Sequence, residues 1–136
     1  MGEFYVWNDA ELGLAVEEMD KEHQELVKKM NALHDSVESK TLPALVLVKL
    51  EDLASYTVKH FADEEAYMAK IKFPELSSHK IIHQQLLRQF STHLEEFKKT
   101  KVLGPEFFSF LKIWLTGHIR GIDMKYSKFS KAKAAS

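Results

Sequence analysis

The chain has 136 residues, enough for one domain with a buried core but too few for a second. Its 19 Lys and Arg nearly balance its 20 Asp and Glu, so charge gives no basis for binding nucleic acid or an anionic membrane surface. It has no cysteine, which excludes disulfides, thiolate zinc sites, iron–sulfur clusters and thiol catalysis. Any metal would therefore be held by nitrogen and oxygen ligands.

The N-terminus lacks the charged-then-apolar pattern of a signal peptide, and no apolar run approaches the ~20 residues that span a bilayer. We therefore expect no membrane insertion and a cytoplasmic location. We expect a single domain over residues 1–136, with an N-terminal arm at 1–17, a helical bundle at 18–131 and a tail at 132–136. The arm contains four successive apolar residues that suit packing against a core, Phe4, Tyr5, Val6 and Trp7.

Two helices are predicted in the first half of the chain, because apolar residues recur there at spacings of three and four. The first runs from Glu18 to about residue 38, with the stripe His23, Leu26, Met30, Leu33 and Val37. The second begins near Pro43, since proline is tolerated in a first helical turn, and ends near Lys70. Its stripe is Val46, Leu50, Leu53, Thr57, His60, Glu64 and Met68.

Two more helices are predicted in the second half. Pro74 ends the connection after the second helix, and Ser77 or Ser78 is expected to cap the third. The stripe of the third helix is His79, His83, Leu86, Phe90, Leu94 and Phe97. Gly104 and Pro105 precede the fourth helix, which continues past Tyr126 and has the stripe Phe107, Leu111, Trp114, His118 and Ile122. Four amphipathic helices with short connections predict an all-α, antiparallel, up-down-up-down four-helix bundle.

Six positions on these stripes carry side chains that commonly ligate metals: His23, His60, Glu64, His79, His83 and His118. In the predicted topology, the N-terminal ends of the first and third helices meet the C-terminal ends of the second and fourth. All four helices therefore bring these residues to one level of the bundle. Buried without partners, they would cost roughly 1–3 kcal/mol each, which favours a metal site.

Asp123 follows His118 by five residues, which on a regular α-helix places it about 140° round and about 7.5 Å further along the axis. The two side chains cannot share one narrow stripe. A site wide enough for two metals could take both, and Gly117 and Gly121 can permit local distortion. Asp123 completes seven candidate ligands, too many for one tetrahedral zinc and suited to two metals bridged by carboxylates.

The other two histidines, His34 and His93, lie about 15 Å or more along their helices from this cluster. We interpret them as surface groups or satisfied core groups.

The sequence resembles the hemerythrin family, specifically its bacterial hemerythrin-like domains, in motifs that follow the family's order and cover nearly the whole chain. The matching residues are Trp7, Met19-Asp20-Lys21-Glu22-His23, His60-Phe61, Glu64-Glu65, Met68, Phe73-Pro74, His79, His83, Trp114-Leu115, His118-Ile119 and Asp123. The resemblance implies a non-haem centre of two iron ions with a bridging oxide or hydroxide. It assigns one iron to His79, His83 and His118, an iron with an open position to His23 and His60, and the bridging role to Glu64 and Asp123.

The resemblance further implies that dioxygen binds reversibly, as a hydroperoxide at the open iron, for oxygen sensing, storage or delivery. It places apolar walls of an oxygen pocket at Leu26, Phe61 and Trp114. At Gly121 the animal members carry a leucine, so we predict a wider access route there and faster oxidation of the oxygenated form. Ile119 or Ile122 would fill that space in part.

Two other interpretations stay open. The same ligands suit a di-iron oxidase, a peroxidase or a nitric-oxide-handling enzyme, which an open pocket at Gly121 would favour, whereas an oxygen-binding protein would show at most weak oxidase or peroxidase activity. The domain also suits a sensor module of a larger signalling protein, for example in chemotaxis, in which oxygen alters the packing of the first helix or the arm. Zinc and manganese accept the same ligand types.

Overall fold

A computed structural model describes residues 4–7, 12–14 and 16–135; residues 1–3, 8–11 and 15 of the predicted arm and residue 136 of the predicted tail lie outside this description. Helix α1 spans Glu17–Glu38, α2 spans Pro43–Lys70 and α3 spans Leu76–Thr100. The fourth long helical unit of the bundle consists of α4 at Pro105–Gly117, a π-helical segment at His118–Asp123 and α5 at Met124–Ala135. We call this unit and the helices α1, α2 and α3 the four rods of the bundle. The predicted all-α four-helix bundle is confirmed.

The helices bury the apolar stripes that their periodicity predicts, although not equally. Side chains with no exposed surface on α1 and α2 include Leu26, Met30, Leu33, Leu50 and Leu53. Helix α3 contributes fewer apolar side chains to the core, because Leu86 and Leu94 are only partly buried. Apart from two histidines, its buried side chains are Phe90 and Phe97. Among the described residues, no helix combines the length and apolar composition of a membrane span.

Three lysines, rather than glycines, adopt the left-handed backbone conformation that ends helices. Lys40, Lys72 and Lys101 have φ angles of 56°, 59° and 61°. The two loops after α1 and α2 are closed by backbone bonds, from Thr41 N–H to the Ser36 carbonyl at 3.0 Å and from Phe73 N–H to the Met68 carbonyl at 2.9 Å. These bonds satisfy carbonyl groups of the last helical turns. Local hydrogen bonding therefore turns the chain without glycine.

The start of α3 differs from the prediction. The helix begins at Leu76, the preceding Glu75 makes no side-chain cap, and the serines expected to cap it, Ser77 and Ser78, lie inside its first turn. A tight turn after Phe73 accounts for the early start, because the Leu76 N–H bonds to the Phe73 carbonyl at 3.3 Å. The cap prediction is wrong. At the other end of the chain, helix continues to Ala135, beyond the predicted bundle end at residue 131.

The described part of the N-terminal arm packs on the bundle. Tyr5 is buried; its N–H donates to the Asn31 side-chain oxygen at 2.7 Å, and Asn31 donates back to the Tyr5 carbonyl at 2.8 Å. The Tyr5 hydroxyl pairs with Thr116, and Ser127 donates its hydroxyl hydrogen to the Leu14 carbonyl. The arm is thus tied to the fourth rod on both sides of the π-helical segment.

Candidate metal centre

All four rods contribute side chains to one buried polar cluster at the end of the bundle. The seven candidate ligands are each at most 5% exposed. They comprise His23 from α1, His60 and Glu64 from α2, His79 and His83 from α3, and His118 and Asp123 from the π-helical segment. The structure therefore brings together all seven residues singled out in the sequence.

Glu64 lies between two groups of imidazoles. Its Oε1 atom is 2.9 Å from His83 Nε2 and 3.3 Å from His79 Nε2. Its Oε2 atom is 3.4 Å from His60 Nε2 and 3.5 Å from His23 Nε2. The two oxygens of one carboxylate therefore face different histidines, as a carboxylate bridging two metals requires.

The two side-chain oxygens of Asp123 also face different histidines. Its Oδ1 atom is 3.0 Å from both His79 Nε2 and His118 Nε2, and its Oδ2 atom is 3.2 Å from His23 Nε2. Two residues five positions apart share a face here because the π-helix bonds each residue to the fifth along, which widens the turn. The local distortion expected near Gly117 and Gly121 therefore takes the form of this π-helical segment.

The five imidazoles divide three to two around the carboxylates. Two sets of donor atoms each lie within 4.8 Å of one another: one consists of Glu64, His79, His83, His118 and Asp123, and the other of His23, His60 and Glu64. Every histidine presents Nε2 to the cluster. The arrangement fits two metal positions with unequal ligand numbers.

Two carboxylates behind the cluster orient its histidines. Glu22 Oε1 is 2.7 Å from His60 Nδ1, and Glu65 Oε2 is 2.8 Å from His83 Nδ1. A carboxylate that accepts the Nδ1 hydrogen leaves the Nε2 lone pair free for a metal and raises its donor strength. We did not single out Glu22 and Glu65 from the sequence as orienting groups. The available signal was their position, each one residue from a candidate ligand.

A third supporting residue, Tyr126, was also missed. Its hydroxyl donates to Glu64 Oε2 at 2.9 Å, and the side chain is completely buried. Burial, together with the charges of Glu64 and Asp123, raises the pKa of the Tyr126 phenol well above its usual range. The sequence placed Tyr126 only as a residue in the continuation of the fourth helix.

The charges within the cluster compensate one another. Burial lowers the pKa of His60 and His118, but carboxylates outweigh it: hydrogen bonds to Glu22 and Glu64 raise the pKa of His60 to about 9, and the charge of Asp123 raises that of His118 to about 10. Burial raises the pKa of Glu64, yet hydrogen bonds from the surrounding histidines hold it well below its usual range. Burial and the charge of Glu64 raise the pKa of Asp123, but the charge of His118 outweighs them and lowers it below its usual range. Both carboxylates are therefore anionic at neutral pH, the state in which they ligate metals.

Hydrogen bonding alone does not satisfy this cluster. Among the described residues, neither ring nitrogen of His23 and neither side-chain oxygen of Asp123 has a hydrogen-bond partner, although all four atoms are buried. Their 3.2 Å contact lacks hydrogen-bond geometry. Buried polar atoms without hydrogen-bond partners are costly, whereas a cation between His23 and Asp123 would accept a lone pair from each. The donor set of imidazole and carboxylate fits iron, zinc or manganese.

Four of the predicted pocket residues are buried, and one of them, Phe61, packs directly on the cluster. Leu26, Phe61 and Ile119 are at most 2% exposed and Trp114 is 6% exposed. The Phe61 ring stacks on His83, with the ring centroids 3.8 Å apart and the planes 4° apart. It also meets Trp114 edge-on at 6.0 Å. Phe61 thus covers the face of the His83 ring with apolar surface.

Neither of the other two predicted pocket residues, Gly121 and Ile122, is fully buried. Gly121 is exposed, and a Cβ atom built on it meets nothing within 4 Å. The space beside Gly121 is therefore open, and the wider access route at this position stays a prediction. Ile122 is half-buried and borders a small cavity of about 30 Å³ beside His79.

The two histidines outside the cluster contact aromatic rings. His34 stacks on Phe4 with the centroids 4.7 Å apart, and His93 packs against Phe107 at 5.3 Å and Phe110 at 5.0 Å. Both are partly buried.

Fold and site together define a four-helix-bundle metal-binding protein with histidine and carboxylate ligands. Residues 14–129 match the family model described as the hemerythrin HHE cation binding domain. The chain is 34% identical to a bacteriohemerythrin of Pseudomonas paraeruginosa over 121 residues, which cover 89% of this chain and 78% of that protein. It is 36% identical to the myohemerythrin of Riftia pachyptila over 122 residues, 90% of each chain.

The structure also resembles a crystal structure of wild-type hemerythrin. The TM-score is 0.84 at 26% identity, and the match covers 91% of this chain and 95% of that one. A crystal structure of a hemerythrin mutant with a leucine replaced by alanine gives a TM-score of 0.86 at 25% identity, covering 93% of this chain and 97% of that one. The chain belongs to the hemerythrin family.

Proposed function

We propose that this chain is a non-haem di-iron protein that binds dioxygen reversibly, for oxygen sensing, storage or delivery. His79, His83 and His118 would hold one iron, His23 and His60 the other, and Glu64 and Asp123 would bridge them. When bound, the two ferrous ions supply the electrons that dioxygen needs to bind and recover them on its release. The observation that carries the proposal is the unequal division of imidazoles around two carboxylates.

The unequal division leaves room for a small ligand on one side only. The group of His23 and His60 offers one imidazole fewer than the group of His79, His83 and His118. Neutral imidazoles also stabilise highly oxidised iron less than additional carboxylates would. We therefore expect ligand binding on the side of His23 and His60 rather than oxidation of a substrate.

The surrounding residues support reversibility. Phe61 stacked on His83, with Leu26, Trp114 and Ile119, keeps water away from the charged cluster. Exclusion of water limits exchange of protons and anions with solvent, which otherwise promotes irreversible oxidation. Glu22 and Glu65 hold His60 and His83 in one ring orientation, so their Nε2 atoms need no reorganisation.

The test is to load the chain with iron anaerobically, reduce it, and then expose it to air while its absorption spectrum is recorded. We expect two irons per chain and a visible band that appears in air and disappears on deoxygenation. His118→Ala should lose iron and the band, whereas His93→Ala, an alteration of a histidine packed on Phe107 and Phe110, should keep both. A colourless, iron-free wild-type chain would contradict the proposal.

The enzyme alternative, a di-iron oxidase, peroxidase or nitric-oxide-handling protein, was favoured in the sequence by an expected opening at Gly121. Gly121 is exposed, with open space where a side chain would stand, but the predominance of imidazole ligands favours binding over oxidation. Steady consumption of a reductant by the iron-loaded chain under air would nevertheless favour turnover over binding.

A further inference from the structure

Tyr126 makes a hydrogen bond whose direction is specific to one side of the cluster. Its hydroxyl donates to Glu64 Oε2 at 2.9 Å. Oε2 is the oxygen near His23 and His60, at 3.5 and 3.4 Å, whereas Oε1 lies near His83 at 2.9 Å. The phenol therefore contacts the carboxylate on the two-histidine side.

Asp123, the other candidate bridging carboxylate, accepts no comparable hydrogen bond in the described part of the chain. Among the described residues, both side-chain oxygens of Asp123 are buried and lack a hydrogen-bond partner. The two carboxylates thus differ in electron density, because a hydrogen bond withdraws density from the oxygen that accepts it. In a buried site this effect is stronger than in water.

The position of the phenol is fixed by packing. The Tyr126 ring meets Tyr67 at 5.6 Å, Phe73 at 6.4 Å and His79 at 5.9 Å, measured between ring centroids. A completely buried ring with three aromatic neighbours has little freedom to move its hydroxyl away from Glu64. Packing of the ring therefore holds the Tyr126 hydroxyl beside Glu64.

We propose that Tyr126 is a positioning residue that holds Glu64 Oε2 toward His23 and His60 and weakens its donation to the metal there. This inference rests on the proposed di-iron function. A weaker anionic donor favours the lower oxidation state, so the hydrogen bond raises the reduction potential of the metal on the two-histidine side. Ferrous iron would be stabilised at the position with fewer ligands.

The chain offers a matched control in Tyr67. This tyrosine also packs on Tyr126, but its hydroxyl pairs with Ser130 at 2.8 Å rather than with a candidate ligand. Tyr67→Phe removes a hydroxyl from the same aromatic cluster without touching Glu64. Tyr126→Phe removes only the hydrogen bond to Glu64 and keeps the ring.

The experiment is a spectroelectrochemical titration of the iron-loaded wild-type chain, Tyr126→Phe and Tyr67→Phe, with the iron content of each determined. We expect a lower potential for one of the two one-electron steps in Tyr126→Phe and unchanged potentials in Tyr67→Phe. Replacing Tyr126 by 3-fluorotyrosine, a stronger hydrogen-bond donor, should shift the same step upward. This second variant retains a donor even if Tyr126→Phe loses iron.

Unchanged potentials in an iron-loaded Tyr126→Phe chain would overturn the proposal. An unchanged or lower potential with 3-fluorotyrosine, or an equal shift in Tyr67→Phe, would do the same. A wild-type chain that holds two irons but does not bind dioxygen would overturn the proposed function alone, since the potentials still report the effect of Tyr126. A wild-type chain that takes up no iron would overturn both.

Discussion

Deletion of Gly121 should be tolerated, although a deletion within a helix normally rotates everything beyond it. In a regular α-helix each residue adds 100°, so the five steps from His118 to Asp123 leave a 140° offset, and four steps leave 40°. The π-helical segment now accommodates the extra residue. Without Gly121, a regular α-helix would keep His118 and Asp123 on one face. We expect the free energy of unfolding to change by about 1 kcal/mol or less, comparable to one glycine within a helix.

Deletion of Ile113 is the matched control, because Ile113 is also exposed, at 74%, but lies within the regular α4. This deletion rotates the helix on one side of the deleted residue by 100° relative to the other. It displaces at least three large buried apolar side chains, either Phe107, Phe108 and Leu111 or Trp114, Leu115 and Ile119. At about 1.5 kcal/mol each, the lower value for such burial, the loss is roughly 4.5 kcal/mol. Urea unfolding of both metal-free variants followed by circular dichroism measures the difference. Equal destabilisation by the two deletions would refute the reasoning about the π-helical segment.

Three further predictions concern single side chains. Gly121→Leu should slow the oxidation of the air-exposed iron form, because a leucine would fill the open space at this position and narrow the predicted access route. An absorbance decay as fast as in wild type would contradict that route. Lys72→Gly should raise the free energy of unfolding by about 0.5–1 kcal/mol, since it relieves a left-handed φ of 59°, whereas Lys70→Gly, at the end of helix α2, should lower it. Urea unfolding measures both variants, and stabilisation by both would contradict this explanation. Phe61→Ala should cost about 3–5 kcal/mol in the same assay because its ring is buried and stacked on His83; a loss below about 1 kcal/mol would mean that the space refills.

The sequence predicted most of the fold because apolar periodicity is a strong and local signal. The boundaries of α1 and α2 followed from their stripes and from Pro43. The start of α3 did not, because serines at 77 and 78 favour a cap by composition alone, while the turn after Phe73 begins the helix earlier. Helix caps depend on the backbone path before them, and that path is not visible in residue types.

The seven-residue cluster was predictable from topology, but its supporting groups were not. Glu22 and Glu65 reach histidines of other helices, and charged residues on a helix surface are usually solvated. The face on which Asp123 lies was not predictable for a related reason. The α-helical period assigns faces correctly only while the helix stays α-helical, and the π-helical segment at His118–Asp123 changes the faces within it.

The contacts of Glu64 show how much of the site the spacing of His60 and Glu64 predicts. Its helical partner His60, four residues earlier, is one of five histidines whose Nε2 atoms lie 2.9–3.7 Å from its two oxygens. The other four come from the three other rods of the bundle. Slippage of any rod by one helical turn would move its ligand by about 5.4 Å, more than any of these distances. The spacing of His60 and Glu64 therefore predicts a single contact of the site, while the register of all four rods, fixed by their apolar stripes, determines the rest.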